Sequence, residues 1–389
     1  MVSVFTAEMP LHKSFLLRYS PAMTSPNSDS SSRRRFLGTT TGTAMGGFFA
    51  FTSKSRAQAP QIIGHGDFKY EVVKGWGNLN PAQHPVANCH EMVEDSKGRL
   101  ILFQTDTKNN VIIYDKSGKL LEAWGNEYPG AHGLDIVNEN GENFLYLSDT
   151  GKGIVVKTDM KGKVLMTIGR PDVPEYQNKV PNPRAKAAAK GKGKGGNQPA
   201  MILPPWRPTN IMPAPDGTFY IGDGYGSSWV LHYSADGELL HMFGGRGDKP
   251  GNLNVPHGGI VDTRDPKNIT LMICSRTENA LKRFTLSGIH LQTIPVPGMR
   301  ICQLANHGDY MIGPSLEGVI NVVDKNNNVV SNPGGSAPTR DGKFELTKIE
   351  KAADSPFTHP HGIWIDADES VYVPQWNSGR TYPIKLKRV

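Results

Sequence analysis

The chain is poor in cysteine, in unbroken apolar runs and in acid-free or base-free stretches outside two short segments. Its three cysteines, Cys89, Cys274 and Cys302, form no C-x-x-C pair, and an odd count allows at most one disulfide, whose partners the spacing does not assign. The longest mildly apolar run, Phe36 to Phe51, is broken by Gly and Thr. At about 16 residues it falls short of the roughly 20 that a spanning helix needs, which excludes an integral membrane segment in the mature chain. Long helices are disfavoured by 43 Gly and 29 Pro, which point to many turns.

A uniform basic surface is also missing. The formal charge is +7, but residues 1–59 carry +5 of it and the stretch Lys179–Lys194 carries +6 with no acid, so the rest of the chain is acidic. The basicity belongs to a leader and a loop, and nucleic acid is not an expected partner.

Residues 1–59 read as a targeting segment. Ser-Ser-Arg-Arg-Arg-Phe-Leu-Gly at Ser31–Gly38 is a twin-arginine sequence, followed by the mild apolar run and by Ala57-Gln58-Ala59, a small-residue cleavage signal. The expectation is export by the twin-arginine pathway to the periplasm or beyond, with residues 60–389 as one mature domain.

That domain repeats every 40–50 residues or so, the period of β-propeller blades. Each unit has an opening turn, an apolar strand, a second strand such as Phe144–Asp149 or Thr218–Asp223, and a third strand. A polar hairpin such as Asp115–Lys119, Asp159–Lys163 or Ser234–Glu238 then leads to an amphipathic fourth strand. Six units open near Asn88, Gly130, Pro208, Val255, Arg300 and His359; the fifth, Arg300–Gly334, is the most degenerate. The sixth runs out of chain after three strands. Glu71–Gly77 copies the fourth-strand pattern, so the fold expected is an all-β six-bladed propeller whose N-terminal strand completes the last blade. Residues 170–205 interrupt the repeat. With the Lys, Ala and Gly of Ala185–Gly196 they read as a flexible, solvated insertion.

One phrase recurs: Gly-Ala-His-Gly-Leu-Asp-Ile at Gly130–Ile136, Val-Pro-His-Gly-Gly-Ile-Val at Val255–Val261, and His-Pro-His-Gly-Ile-Trp-Ile at His359–Ile365. His132, His257 and His361 thus open units two, four and six. Alternate blades of a six-fold ring are about 120° apart, so three imidazoles converge on the axis and leave further positions open, the arrangement of catalytic zinc. His90, in the looser copy Asn88–Val93, breaks the alternation and reads as a fourth ligand, a supporting donor or a channel-lining residue. His359 points away from the axis. Tyr225 and Arg276 end the second strands of units three and four, at the channel mouth. A phenol there serves acid–base chemistry and an arginine binds a carboxylate.

At these residues the chain resembles the peptidyl-α-hydroxyglycine α-amidating lyases, on a framework of NHL-type repeats. The ordered set Ala131–Asp135, Asp223-Gly-Tyr225, Val255–His257 and Pro360–Ile363 carries the likeness, which spans about Phe68 to Lys387. The resemblance implies zinc on His132, His257 and His361, with Tyr225 and Arg276 in the active site. It implies cleavage of an α-hydroxyglycine-capped substrate to an amide and glyoxylate. The chain departs from the family in three places. Thr105 replaces an arginine of the first blade, Gly226 replaces a cysteine, and Gly362 replaces the acid that helps bind a structural Ca2+, so that ion is not carried over. The expected substrate is a peptide or a small N-acyl compound, handled by a monomer. Two other readings compete: a non-catalytic propeller that binds a protein or glycan, and a metal-dependent hydrolase such as a lactonase.

Overall fold

The computed structural model describes residues 59–182, 199–296, 299–340, 344–345 and 350–389. The expected targeting segment, all but its last residue, and the Lys/Ala/Gly-rich centre of the insertion lie outside these residues. What is described is a six-bladed β-propeller, each blade an antiparallel meander running outward from the axis. Blade 1 comprises Cys89–Glu94, Leu100–Gln104, Val111–Tyr114 and Leu120–Trp124. The innermost strands of blades 2 to 6 are Ala131–Glu139, Asn210–Pro213, Pro256–Asp262, Ala305–His307 and Trp364–Ile365. Residues in the middle of a blade are covered on both faces by its neighbours, so Leu100–Gln104 and Val111–Tyr114 are buried throughout. The outermost strand Leu120–Trp124 is partly exposed along its whole length, which is why its sequence reads as amphipathic.

The polar hairpins lie between third and fourth strands, as expected. In one, Asp115 Oδ1 accepts from the backbone N–H of Ser117 and Lys119 at 2.9 and 3.0 Å, and Gly118 takes the positive φ of 90° that closes the turn.

The N-terminal segment closes the ring, in a register different from the one the pattern suggested. Phe68–Val73, rather than Glu71–Gly77, pairs antiparallel with Ile384–Arg388, Val72 opposite Leu386. Beyond Val73 the chain leaves the sheet at Gly75 and Gly77, both at positive φ. Trp76 is buried by wedging between Tyr114 and Tyr372, with ring centres 5.3 and 4.9 Å away, and not by strand pairing. An additional strand, Ile62–His65, makes blade 6 five-stranded.

The insertion is better ordered at its ends than its composition suggested. Pro174–Gln177 form one helical turn, and Val180–Pro181 pair with Met201–Ile202. Tyr176 is buried and donates its hydroxyl to Asp223 Oδ2 at 2.7 Å, tying the insertion to blade 3. All three cysteines are buried and free. No helix among the described residues is long and apolar enough to cross a membrane.

Closure depends on the N-terminal strand filling the core it shares with Leu386 and Phe357. Tyr70, 1% exposed in that core, is the most telling probe. Tyr70→Ala is expected to cost about 3 kcal/mol in urea unfolding, and removal of residues 1–73 to leave Ile384–Arg388 as a bare edge and give aggregates by size-exclusion chromatography.

Candidate metal centre

Three histidines from alternate blades meet on the axis. The ring centres of His132, His257 and His361 are 4.7, 4.8 and 5.0 Å apart, and each residue is 1–2% exposed. Their sequence neighbours pointed to turns that precede the inner strands. The structure puts His132 and His257 inside those strands, at a β-bulge. Pairing with the second strand slips between Ala131 and Leu134 in blade 2 and between Pro256 and Gly259 in blade 4. In blade 6, His361 lies between the bridge Pro360–Gln375 and the strand Trp364–Ile365. A bulge frees the extra residue from the alternation of the strand and re-aims its side chain, here toward the axis.

Each imidazole is braced by the next blade. Nδ1 of His132 lies 2.8 Å from the Thr209 carbonyl, that of His257 2.9 Å from the Cys302 carbonyl, and that of His361 3.2 Å from the His90 carbonyl. A carbonyl only accepts, so the Nδ1 must carry the proton and Nε2 is left with its lone pair. The glycine after each histidine has the same origin. A Cβ on Gly133, Gly258 or Gly362 would stand 2.6, 2.1 or 2.2 Å from that bracing carbonyl. The His-Gly pair is therefore a unit: histidine supplies the donor, and glycine lets the acceptor approach.

His90 joins the same layer without this support. Its ring centre is 4.5 Å from those of His132 and His361. It is followed by Glu91 instead of glycine, and its buried Nδ1 has no hydrogen-bond partner. The ligand atoms of His90, His132 and His361 lie within 4.8 Å of one another, and so do those of His257, Cys302 and His361. The axis thus gathers four imidazoles and the Cys302 thiol. These groups could hold a metal. The donors are buried, the three braced rings present Nε2, and imidazole suits zinc.

Burial sets the protonation. It lowers His132 to about 3 and holds His90, His257 and His361 well below the usual histidine range, reinforced by one another and by the Arg276 charge. All four rings are neutral at pH 7, the form that ligates. Tyr225, in the loop after the second strand of blade 3, sets its hydroxyl 2.9 Å from His257 Nε2 and 3.4 Å from His132 Nε2. Burial raises its pKa, with Arg276 opposing, so it is a neutral phenol. Arg276, on the short turn after Thr270–Ser275, lies 5.3 Å from the centre of the Tyr225 ring. His359 stays off the axis and contacts the Asn377 carbonyl.

Two groups of polar residues escaped the sequence reading. Arg207 lies 5.8 Å from the Tyr225 ring centre. With Thr105, His90 and His132 it lines a cavity of about 360 Å³ at the channel mouth. Its only mark in the sequence is its position just before an opening turn. Glu91 and Asp135 lie further along the inner strands, in an axial cavity of about 300 Å³. Burial raises Asp135 to about 7 and pushes Glu91 well above the carboxylate range. A charged residue inside an apolar inner strand was the available signal.

The sequence matches no protein-family model. It is 24% identical over 287 residues to a probable peptidyl-alpha-hydroxyglycine alpha-amidating lyase of Caenorhabditis elegans, covering 71% of this chain and 70% of that one, and is its distant homologue. Among solved structures it is similar to a catalytically inactive virginiamycin B lyase from Staphylococcus aureus bound to quinupristin. The TM-score is 0.52 at 14% identity, over 83% of this chain and all of that one. It is also similar to a gluconolactonase from Xanthomonas campestris, with a TM-score of 0.52 at 13% identity, over 84% and 94% of the two chains. The two structural likenesses establish the propeller fold.

Two outcomes follow from the braced rings. Gly258→Ala is expected to push the Cys302 carbonyl off His257 and weaken the affinity for added zinc, measured by chelator competition, by roughly ten- to a hundredfold. Gly169→Ala, where a Cβ meets nothing within 4 Å, leaves it unchanged. Because His132 titrates near 3 when folded and near 6.5 when unfolded, the unfolded chain binds the extra proton. The metal-free protein should then lose stability as the pH falls from about 6.5, by about 1.4 kcal/mol per unit for each such ring. His132→Asn should flatten that slope in urea unfolding.

Proposed function

We propose that this chain is an exported zinc-dependent lyase that cleaves the carbon–nitrogen bond of an α-hydroxyglycine-like carbinolamide, giving an amide and glyoxylate. The observation that carries this reading is the Tyr225 phenol, held between the Nε2 atoms of His132 and His257 with Arg276 beside it. A half-buried phenol placed between two ring nitrogens suits proton transfer better than partner binding. The distant homology to an amidating lyase supports the same reading, and the Ser31–Gly38 sequence supports export.

His132, His257 and His361 are the residues to hold zinc, with His90 beside them. Zinc, when bound, supplies a Lewis acid that makes a nearby hydroxyl more acidic. Arg276 pairs with the substrate carboxylate and orients the carbinol carbon. Arg207 lines the same cavity as Thr105, so the positive charge missing at position 105 is supplied from position 207. As the carbinol O–H gives up its proton, the C=O of glyoxylate forms and the C–N bond breaks, its electron pair going to the amide nitrogen. Tyr225 donates its proton to that nitrogen and is restored by the proton released from the hydroxyl.

The test is metal content followed by turnover. Protein purified without chelator should hold about one zinc per chain, lost in the double variant His132→Ala, His257→Ala. It should release glyoxylate from α-hydroxyhippurate, and Tyr225→Phe should slow kcat by roughly a hundredfold or more while retaining the metal. Absence of zinc after reconstitution would sink the reading. Opening of lactones without glyoxylate release would favour a hydrolase.

A further inference from the structure

Blade 3 carries another pair of facing imidazoles, on its two outer strands. His232 lies on Trp229–Tyr233 and His241 on Leu239–Gly244, directly opposite each other in the antiparallel register. Pairing slips just beyond them. Tyr233 faces Leu239, so Leu240 is left over and stands 51% exposed. The same cross-strand positions hold Ile113 and Glu122 in blade 1, Lys157 and Met166 in blade 2, and Arg283 and Gln292 in blade 4. The blade therefore does not require histidine at either place.

The His232 ring is oriented by its neighbours. It stacks on Tyr220, with centres 4.1 Å apart and planes 7° apart. Its Nε2 lies 2.7 Å from the Thr218 hydroxyl, which donates to Asp216 Oδ1 at 2.7 Å. The single hydroxyl proton is committed to the carboxylate, so Nε2 of His232 is the donor in the other contact. In the neutral ring Nδ1 is then left with its lone pair, facing Nδ1 of His241 at 3.4 Å. That separation is longer than an ordinary hydrogen bond from a ring N–H. Nε2 of His241 is buried with no hydrogen-bond partner among the described residues, so neither tautomer of His241 is well satisfied by the protein alone. Two nitrogens on one tetrahedral zinc, each about 2.0–2.1 Å from it, stand about 3.4 Å apart. The pair already has this spacing.

We propose that His232 and His241 form a second metal site, apart from the axis, which takes a divalent transition-metal ion such as zinc on the two Nδ1 atoms. Both rings are partly exposed, so an ion can reach them from solvent. Among the described residues no third ligating side chain completes a group with them, and water fills the remaining positions. Asp216, acting through Thr218, orients His232 as carboxylates do behind metal-bound imidazoles, and brings negative charge close to the ion. The ion clips the outermost strand of blade 3 to its neighbour. This site depends neither on the axial histidines nor on the lyase reading.

The probe is Zn2+ alone, titrated calorimetrically into the full chain after chelator treatment and dialysis. The wild type should show a further zinc equivalent, weaker than the axial one. His241→Gln should abolish it and leave the tight equivalent in place. Glutamine already stands at the matching position of blade 4 as Gln292, so the strand accommodates it. The double variant His132→Ala, His257→Ala should do the opposite, losing the tight equivalent and keeping the weak one. Absence of the weaker equivalent from the wild type, or its persistence unchanged in His241→Gln, overturns the proposal. A weak equivalent lost in His241→Gln, found in a wild type that has no tight one, removes the axial zinc and leaves this site standing.

Discussion

The hydrogen bond from each histidine Nδ1 to a carbonyl of the following blade is the interaction on which the site depends. It fixes the tautomer, turns Nε2 to the axis, and requires glycine at the next position. It also makes the site a property of the ring and not of any blade. His132 is held by blade 3 and His257 by the segment leading into blade 5. His361 is held by the His90 carbonyl, across the seam where the last blade meets the first. A slip at any of these three junctions releases an imidazole from its brace.

The electrostatics of the axis follow from burial. Four imidazoles with little access to water are held in the neutral state, while Glu91 and Asp135, further along the inner strands, are pushed toward their protonated forms. Arg276 brings a positive charge to the edge of this low-dielectric region and steadies the neutral rings against protonation. The channel is thus assembled from ionisable residues whose charge at pH 7 is reduced or absent. A ligand that brings charge of its own meets donors already cleared of competing protons.

Much of this could be read from the chain. The repeat period, the recurrence of His-Gly at alternate units and the places of Tyr225 and Arg276 all come from local sequence patterns, and the structure brings those residues together. The bulges that aim His132 and His257 could not be read, because a slip in backbone pairing leaves no mark on the side-chain pattern. Glu71–Gly77 overlaps the strand Phe68–Val73 but runs past its end, because Trp76 looks like a strand residue yet is buried by wedging between two tyrosines. Arg207 belongs to no repeated motif, and its role shows only once blade 2 and blade 3 are side by side. The insertion was judged by its Lys/Gly-rich middle, whereas Tyr176 and the strand pair at its ends decide where it packs.

Ring closure by the N-terminal strand also fixes an order in time. Phe68–Val73 emerges early and can pair with Ile62–His65, but its link to the rest of blade 6 waits until Ile384–Arg388 has been synthesised. His361 arrives after His132 and His257, and its bracing carbonyl belongs to the first blade. A nascent chain can stack blades 1 to 5 one upon another as they appear, but it cannot present all three braced imidazoles. The complete ligand set comes into being only when the two ends of the propeller join, so any ion it takes up is acquired by a finished molecule.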